Sequence, residues 1–354
     1  MRTIATNRPL NKMLPSIFLS LAVAASAGCA MVGPAENESH FKAGYSTDTT
    51  PVTHERFDAG DDKFTFAVFS DLTGGERDGI FEIAVQQLNL LRPEMIINVG
   101  DLIEGDTDRQ VVDRQWDSFD QRAERARAPV FYVGGNHDLL GKTLQEAWAE
   151  RIGPTYYHFV YRDVLFLVLN TDDHSTERLL EIAELRRQAI AVGETQGWDA
   201  FAETEYAQLP ENEAGQISDQ QSVYFRKVIA DHPDVRWTFL FMHKAPWLRE
   251  DLQAFTDIET ALADRPYTLV HGHEHAYEYL ERNGRDYIRL ATTGGIHLPE
   301  MGRSMDQVVL VTVDNDGVDI ANLLMSGILD KTGHIPLGGD DVCFESAVCG
   351  EGEP

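Results

Sequence analysis

The chain has 354 residues, 43% of them hydrophobic and 25% charged, and carries a formal net charge of −28 at pH 7. Removing the three cations of residues 1–28 would leave it near −31. Such acidity repels nucleic-acid backbones and anionic membrane surfaces, so no long DNA or RNA partner is expected. There is no repeat of solenoid period and no long basic or prion-like run. The three cysteines include no Cys-x-x-Cys pair, which argues against a structural zinc–thiolate site.

Residues 1–29 read as an export signal. Arg2, Arg8 and Lys12 give a basic start, and Leu14 to Ala27 is a short apolar stretch interrupted early by Pro15. The stretch is too short to span a bilayer comfortably. Ser26-Ala27-Gly28-Cys29 resembles a bacterial lipoprotein cleavage site, with Ser26 where a leucine-like residue is usual. That resemblance implies a lipid anchor at Cys29; cleavage by the general signal peptidase and a plain N-terminal anchor are the alternatives. The protein is expected to be exported, as a periplasmic protein or a membrane-anchored lipoprotein. Residues 30–60 are rich in Ser, Thr, Gly, Asp and Glu and cannot bury enough surface to order themselves, so they are expected to form a flexible tether.

The main domain is expected over residues 61–326. Phe64 to Phe69 is an apolar run that ends in Ser70-Asp71-Leu72-Thr73-Gly74-Gly75. Asp78 to Leu91 carries a helical stripe at positions 80, 83, 84, 88 and 91. Met95 to Val99 runs into Gly100-Asp101-Leu102-Ile103-Glu104. Asp108 to Arg127 is predicted helical, with Val112, Trp116, Phe119 and Ala123 on one side. Val130 to Val133 runs into Gly134-Gly135-Asn136-His137-Asp138. Two strands, Tyr156 to Tyr161 and Val164 to Leu169, flank an Arg162-Asp163 turn. Residues 172–217 are acidic and helical in pattern, an insertion that either shapes the substrate pocket or is a solvated surface helix. Ser218 with Gln221 suggests a capping box. Trp237 to Met242 runs into His243, and Tyr267 to Val270 into His271-Gly272-His273-Glu274-His275. Tyr287 to Ala291, Gln307 to Val313 and Val318 to Leu324 are predicted strands, the last two joined as a hairpin by Asp314-Asn315-Asp316-Gly317. A polar tail, 327–354, holds Cys343 and Cys349, favoured as a disulfide in an oxidising compartment over two free thiols.

Five apolar runs thus each end in Asp, Asn or His. In open α/β sheets, ligands bind outside the carboxyl ends of strands. On an extended segment alternate side chains face the same way, so His273 and His275 are expected to reach one point. Mixed imidazole and carboxylate ligands suit a transition metal better than calcium.

These five motifs together resemble the calcineurin-like metallophosphoesterase superfamily, over about Phe64 to Leu324. Gly134-Gly135-Asn136-His137-Asp138 and Gly272-His273-Glu274-His275 are the most specific parts and are intact. The resemblance implies a four-layer αββα sandwich of two mixed sheets, α/β in class. It implies two metal ions (Mn, Fe, Zn or Co) bridged by Asp101. One would take Asp71, Asp101 and His275, and the other Asp101, Asn136, His243 and His273. His137 would contact the leaving group or the phosphate, and Glu104 would orient His137. Two ions about 3.5–4 Å apart neutralise phosphate oxygens and lower the pKa of a bound water, whose hydroxide attacks phosphorus in line. The expected activity is hydrolysis of a small phosphoester, mono- or diester. Nucleotide pyrophosphatase activity and a non-catalytic metal- or phosphate-binding module are the alternatives.

The first motif departs from the family, with Thr73 in the place of a histidine. A hydroxyl is a poorer ligand than imidazole, so the first ion is expected to be labile. His297 is read as an ordinary loop histidine, with compensation for Thr73 as the alternative. Lys244 and Arg77 are read as solvated surface charges, with substrate phosphate as the other reading. Gly74 and Gly75 fit either a close backbone approach to a ligand or a tight turn. His40, His54, His158, His174, His232 and His334 are read as surface or structural.

Overall fold

Alternation within single strands sets the architecture. In Phe64-Thr65-Phe66-Ala67-Val68-Phe69, residues 64, 66 and 68 join one apolar cluster, while Ala67 and Phe69 join another. A strand that is apolar on both faces must lie between two layers. The computed structural model describes residues 62–249 and 251–349, with Thr53 and Gly60. The expected signal peptide and nearly all of the tether lie outside the described residues. The chain divides into two units, Met1–Phe57 and Asp58–Pro354, and every element named here belongs to the second.

In chain order the elements are β1 (Phe64–Phe69), α1 (Ile80–Leu91), β2 (Met95–Asn98), α2 (Arg109–Ala123), β3 (Val130–Phe131), α3 (Asn136–Leu139) and α4 (Lys142–Arg151). There follow β4 (Tyr157–Tyr161), β5 (Val164–Val168), α5 (Thr176–Gln196), α6 (Trp198–Ala202), α7 (Pro210–Glu213), α8 (Asp219–Asp231), β6 (Trp237–Phe241) and α9 (Gln253–Leu262). The chain continues through β7 (Tyr267–His271), β8 (Glu278–Arg282), β9 (Arg285–Arg289), β10 (Gln307–Val313), β11 (Val318–Leu324) and α10 (Ser346–Cys349).

Two mixed sheets form, ordered β11-β10-β1-β2-β3 and β4-β5-β6-β7-β9-β8. β1, β2 and β3 are parallel, as are β5, β6, β7 and β9, while β10, β11, β4 and β8 pair antiparallel at the flanks. Phe66, Ile97, Phe166, Phe239 and Val311 fill the space between the sheets. The Phe66 ring sits edge-on to Phe166 and Phe239, with centroids 5.4 and 4.9 Å away. Truncating such a ring to alanine costs about 3–5 kcal/mol. The outer face of the first sheet packs on α1, α2 and α4 through Phe81, Trp116 and Trp148. The outer face of the second packs on α8 and α9 through Phe225, Phe255 and Ile258. The result is the four-layer αββα sandwich.

Element boundaries differ from the sequence reading for local reasons. α1 starts at Ile80, after Gly79 in a left-handed conformation, rather than at Asp78. α2 is capped by the Asp108 carboxylate, which accepts from the Gln110 N–H, and it ends at Ala123. β3 is only two residues long, because the Asn98 side chain takes over the pairing there: it accepts from Val133 N–H and donates to the Phe131 carbonyl. Ser218 caps α8, but no box closes, since the Gln221 side chain is spent on both backbone groups of Asn170. The edge strand β8, mostly exposed, had no apolar run to mark it.

The tail does not hang free. Ile335 and Phe344 are buried in the cluster around α1, and Cys343 is disulfide-bonded to Cys349. Among the described residues no helix is long and apolar enough to cross a membrane.

Candidate active site

The carboxyl ends of β1, β2, β3, β6 and β7 converge, and backbone hydrogen bonds join the loop after β1 to those after β2 and β9, and the loop after β6 to that after β7. Leu72 N–H donates to the Asp101 carbonyl, Gly272 N–H to the His243 carbonyl, and Thr293 N–H to the Asp71 carbonyl. Two glycines permit the crowding. A Cβ on Gly100 (φ 101°) would lie 2.7 Å from His243 Nδ1, and one on Gly135 would overlap the Asp101 carboxylate. Asp101 itself has φ 56°, a left-handed backbone that a non-glycine residue holds only when its surroundings enforce it.

Asp138 does much of that enforcing. Its carboxylate accepts from the N–H groups of Asp101 (2.8 Å), Leu102 (3.0 Å), Ile103 (3.3 Å) and Gly135 (2.8 Å). Burial and the nearby Asp101 charge push Asp138 up to about 8, against the pull of these donors. The sequence reading passed over Asp138 because an acid at the start of a short helix is usually only a cap.

Within this frame Asp101 Oδ2 lies 3.0 Å from His243 Nε2 and 4.0 Å from His137 Nε2, while Oδ1 accepts from His137 N–H at 2.9 Å. Asp101, His243 and His273 place donor atoms within 4.8 Å of one another. Asn136 Oδ1 is 3.2 Å from His243 Nε2. Asp71 is fully buried; its Oδ1 lies 3.4 Å from His275 Nε2 and 3.9 Å from His243 Nδ1, and it accepts from His273 N–H. Thr73 is buried too, with Oγ1 3.5 Å from Asp101 Oδ2.

His273 and His275 do not alternate along a strand. β7 stops at His271, and both later histidines have positive φ, 82° and 51°. The loop turns them apart, so that His273 faces His243 (Nδ1 to Nε2, 3.3 Å) and His275 faces Asp71. The third histidine of the run, His271, is buried beside Trp247 and holds no ligand position.

Each of the three facing imidazoles has one nitrogen on a backbone carbonyl: His243 Nδ1 on Val99 (2.9 Å), His273 Nε2 on Asn212 (2.6 Å) and His275 Nδ1 on Ile296 (2.8 Å). An N–H donated outward leaves the opposite nitrogen's lone pair turned into the site. The electrostatics follow. Burial disfavours charge on His243, but Asp101, Asp71 and Asp172 outweigh it and push His243 up to about 10. Burial opposes ionisation of Asp101, yet His243 and His137 hold it well below its ordinary value. Burial, with Lys244 and His243, drives His273 far below the usual histidine range.

His137 is oriented by the backbone of Glu104, not its carboxylate. Nδ1 lies 2.8 Å from the Glu104 carbonyl, whereas the carboxylate is 3.9 Å away and accepts from Gly74, Gly75 and Glu76 N–H. Glu104 thus pins the loop after β1, which is how Gly74 and Gly75 are used. The other nitrogen of His137, Nε2, is met by Arg186 of α5 at 2.8 Å. Burial, then the Arg186 charge, lower His137 to about 4. Nothing in the local sequence around Arg186 signals this contact.

Two further readings are corrected. Lys244 is neither solvated nor open to substrate: it is buried, and its ammonium sits on Asp172 (2.9 Å) and the Glu211 carbonyl. Arg77 clamps Asp306 (2.6 Å) and the carbonyls of Gly295 and Cys343. His297 Nε2 lies 3.3 Å from the other oxygen of Asp306, without a hydrogen bond to it.

The model of the calcineurin-like phosphoesterase family matches residues 64–277, well over half the chain. The chain belongs to that family and is a metal-dependent phosphoester hydrolase. Among solved structures it is similar to a purple acid phosphatase of yellow lupin (14% identity, 75% of this chain and 52% of that one, TM-score 0.47). It is also similar to the GAP50 inner-membrane-complex anchor of Plasmodium (14%, 77% and 87%, 0.45) and to a 5'-nucleotidase of Candida albicans (10%, 73% and 51%, 0.44). No curated protein sequence matches the chain.

Proposed function

We propose that this chain is an exported phosphoesterase with a dinuclear metal site. Asp71, Asp101 and His275 would hold one ion, with Thr73 or water completing it. Asp101, Asn136, His243 and His273 would hold the other, with Asp101 common to both. The observation that carries this reading is the set of three imidazoles, each with one nitrogen on a backbone carbonyl: the free nitrogens of His243 and His275 face the buried carboxylates of Asp101 and Asp71, and that of His273 faces His243, within 4.8 Å of the Asp101 donor atom. That donor set, oxygen and imidazole at a buried point, fits a first-row transition metal. Bound metal supplies neutralisation of phosphate charge and activation of water.

The protein's own residues do the rest. Asp101, with its backbone locked by Asp138, fixes the separation of the two halves of the site. His137 Nδ1 is tied to the Glu104 carbonyl, which turns Nε2 toward the site, 4.0 Å from Asp101 Oδ2 and 2.8 Å from the Arg186 guanidinium. The basic, then apolar, N-terminal stretch ending at Cys29 supports export, with lipidation at that cysteine.

The deciding experiment is hydrolysis of p-nitrophenyl phosphate and bis-p-nitrophenyl phosphate with Mn²⁺ or with EDTA. Mn²⁺-dependent turnover is expected, and Asp101→Asn should reduce it by at least about 100-fold, since it takes the bridging charge from both halves. A folded protein inert with every added metal would instead favour the non-catalytic module.

A further inference from the structure

α5 carries three arginines, and only one lacks a carboxylate. Arg178 is paired with Glu181 and Glu211, and Arg187 with Glu184. Arg186 forms no ion pair among the described residues, in a chain with 58 acids to 30 cations. Its guanidinium turns inward instead, with Nη2 2.8 Å from His137 Nε2. The position is fixed by packing: Leu179, Ile182 and Ala189 of the same helical face are buried against Leu140, just beyond the helix that bears His137. A second arm of the same insertion reaches the other side of the site, where the Asn212 carbonyl meets His273. The two arms straddle the converging loops.

We infer that Arg186 is a substrate-recognition residue that grips the free oxygens of a phosphate dianion, so that the site selects phosphomonoesters or terminal phosphates over diesters. This rests on the phosphoesterase reading above. A guanidinium presents five N–H donors in a planar fork suited to phosphate, and the His137 contact uses only one of them. An uncompensated positive charge favours the ligand with more negative charge. A monoester dianion has one more charge and one more free oxygen than a diester.

The test compares wild type, Arg186→Ala and Arg186→Lys by two readouts. One is KM and kcat for p-nitrophenyl phosphate and bis-p-nitrophenyl phosphate with Mn²⁺. The other is calorimetric affinity for inorganic phosphate, with Mn²⁺ and after EDTA. Arg186→Ala should raise the monoester KM and the phosphate Kd about 10–100-fold, the worth of charge-assisted hydrogen bonds, and raise the diester KM less than about threefold, whatever the change in kcat common to both esters through the His137 contact. Arg186→Lys should recover part of the phosphate affinity. Equal rises in KM for both esters, or an unchanged phosphate Kd, overturn the inference. If wild type hydrolyses neither ester but binds phosphate in an Arg186-dependent way, the phosphoesterase reading fails and the anion site stands. If it hydrolyses monoester and the variants match it, the anion site alone fails. Should Arg186→Ala not fold, Arg186→Gln, of similar length and no charge, gives the same readouts.

Discussion

Thr73 places a neutral hydroxyl 3.5 Å from Asp101 Oδ2, at the position where the family has an imidazole. Asp71 and His275 remain on that side, and a hydroxyl donates far less electron density to a metal than a histidine nitrogen does. Thr73 is buried, so the change lies inside the site and not on the surface. The half of the site served by Asp71 and His275 should therefore load weakly, and Thr73→His should repair it. Metal content after gel filtration should rise from about one to about two ions per chain, as a full set of nitrogen and oxygen donors is restored. An unchanged metal content in a folded Thr73→His protein would mean that Thr73 does not face that ion.

At the scale of elements, the site depends on loops pinned by buried polar side chains, and Asp138 is the most exposed to test. Asp138→Ala leaves four buried N–H groups, those of residues 101, 102, 103 and 135, without an acceptor. Each unsatisfied group costs about 1–3 kcal/mol, with relaxation and water recovering part, so a loss of at least about 3 kcal/mol is expected in urea unfolding. Turnover should fall as well, because Asp101 loses the contacts that hold its left-handed backbone. A variant as stable as wild type would show that the loops pin themselves. The same logic explains what the sequence did and did not disclose. The strands that lead into the site were legible because strands buried on both faces read as nearly continuous apolar runs, as in Trp237 to Phe241 and Tyr267 to Val270. The residue types gathered there were legible because Asp, Asn and His follow those runs closely. Arg186, the Asn212 carbonyl and the Asp172 partner of Lys244 were not, since each meets its partner across a separation of 49, 61 and 72 residues. No local period encodes such a contact. The orientation of His273 and His275 was misread for a related reason: the strand period was carried past His271, where the backbone turns left-handed.

At the scale of the whole molecule, a buried base ties folding to pH. His271 ends β7 at 6% exposure, with no hydrogen-bond partner at Nδ1 and its ring against Trp247. Burial, then the Arg289 and His243 charges, lower it to about 3. In the unfolded chain the same imidazole titrates near 6.5. Between those values the unfolded state binds a proton that the folded state refuses, so stability must fall as pH drops from about 6.5 toward 3 and is undiminished by this group above 6.5. Over the interval from pH 7.5 to pH 5.0 the loss from this one residue is about 2 kcal/mol. His271→Leu removes the titration while keeping an apolar side chain of similar size. Urea unfolding of wild type and variant at both pH values, with EDTA present throughout, isolates the effect from metal binding and from every other titrating group. The wild type should lose about 2 kcal/mol more than the variant across that interval. An equal loss in both would mean that the buried His271 accepts its proton without cost, and that the acid sensitivity of the fold belongs to other groups.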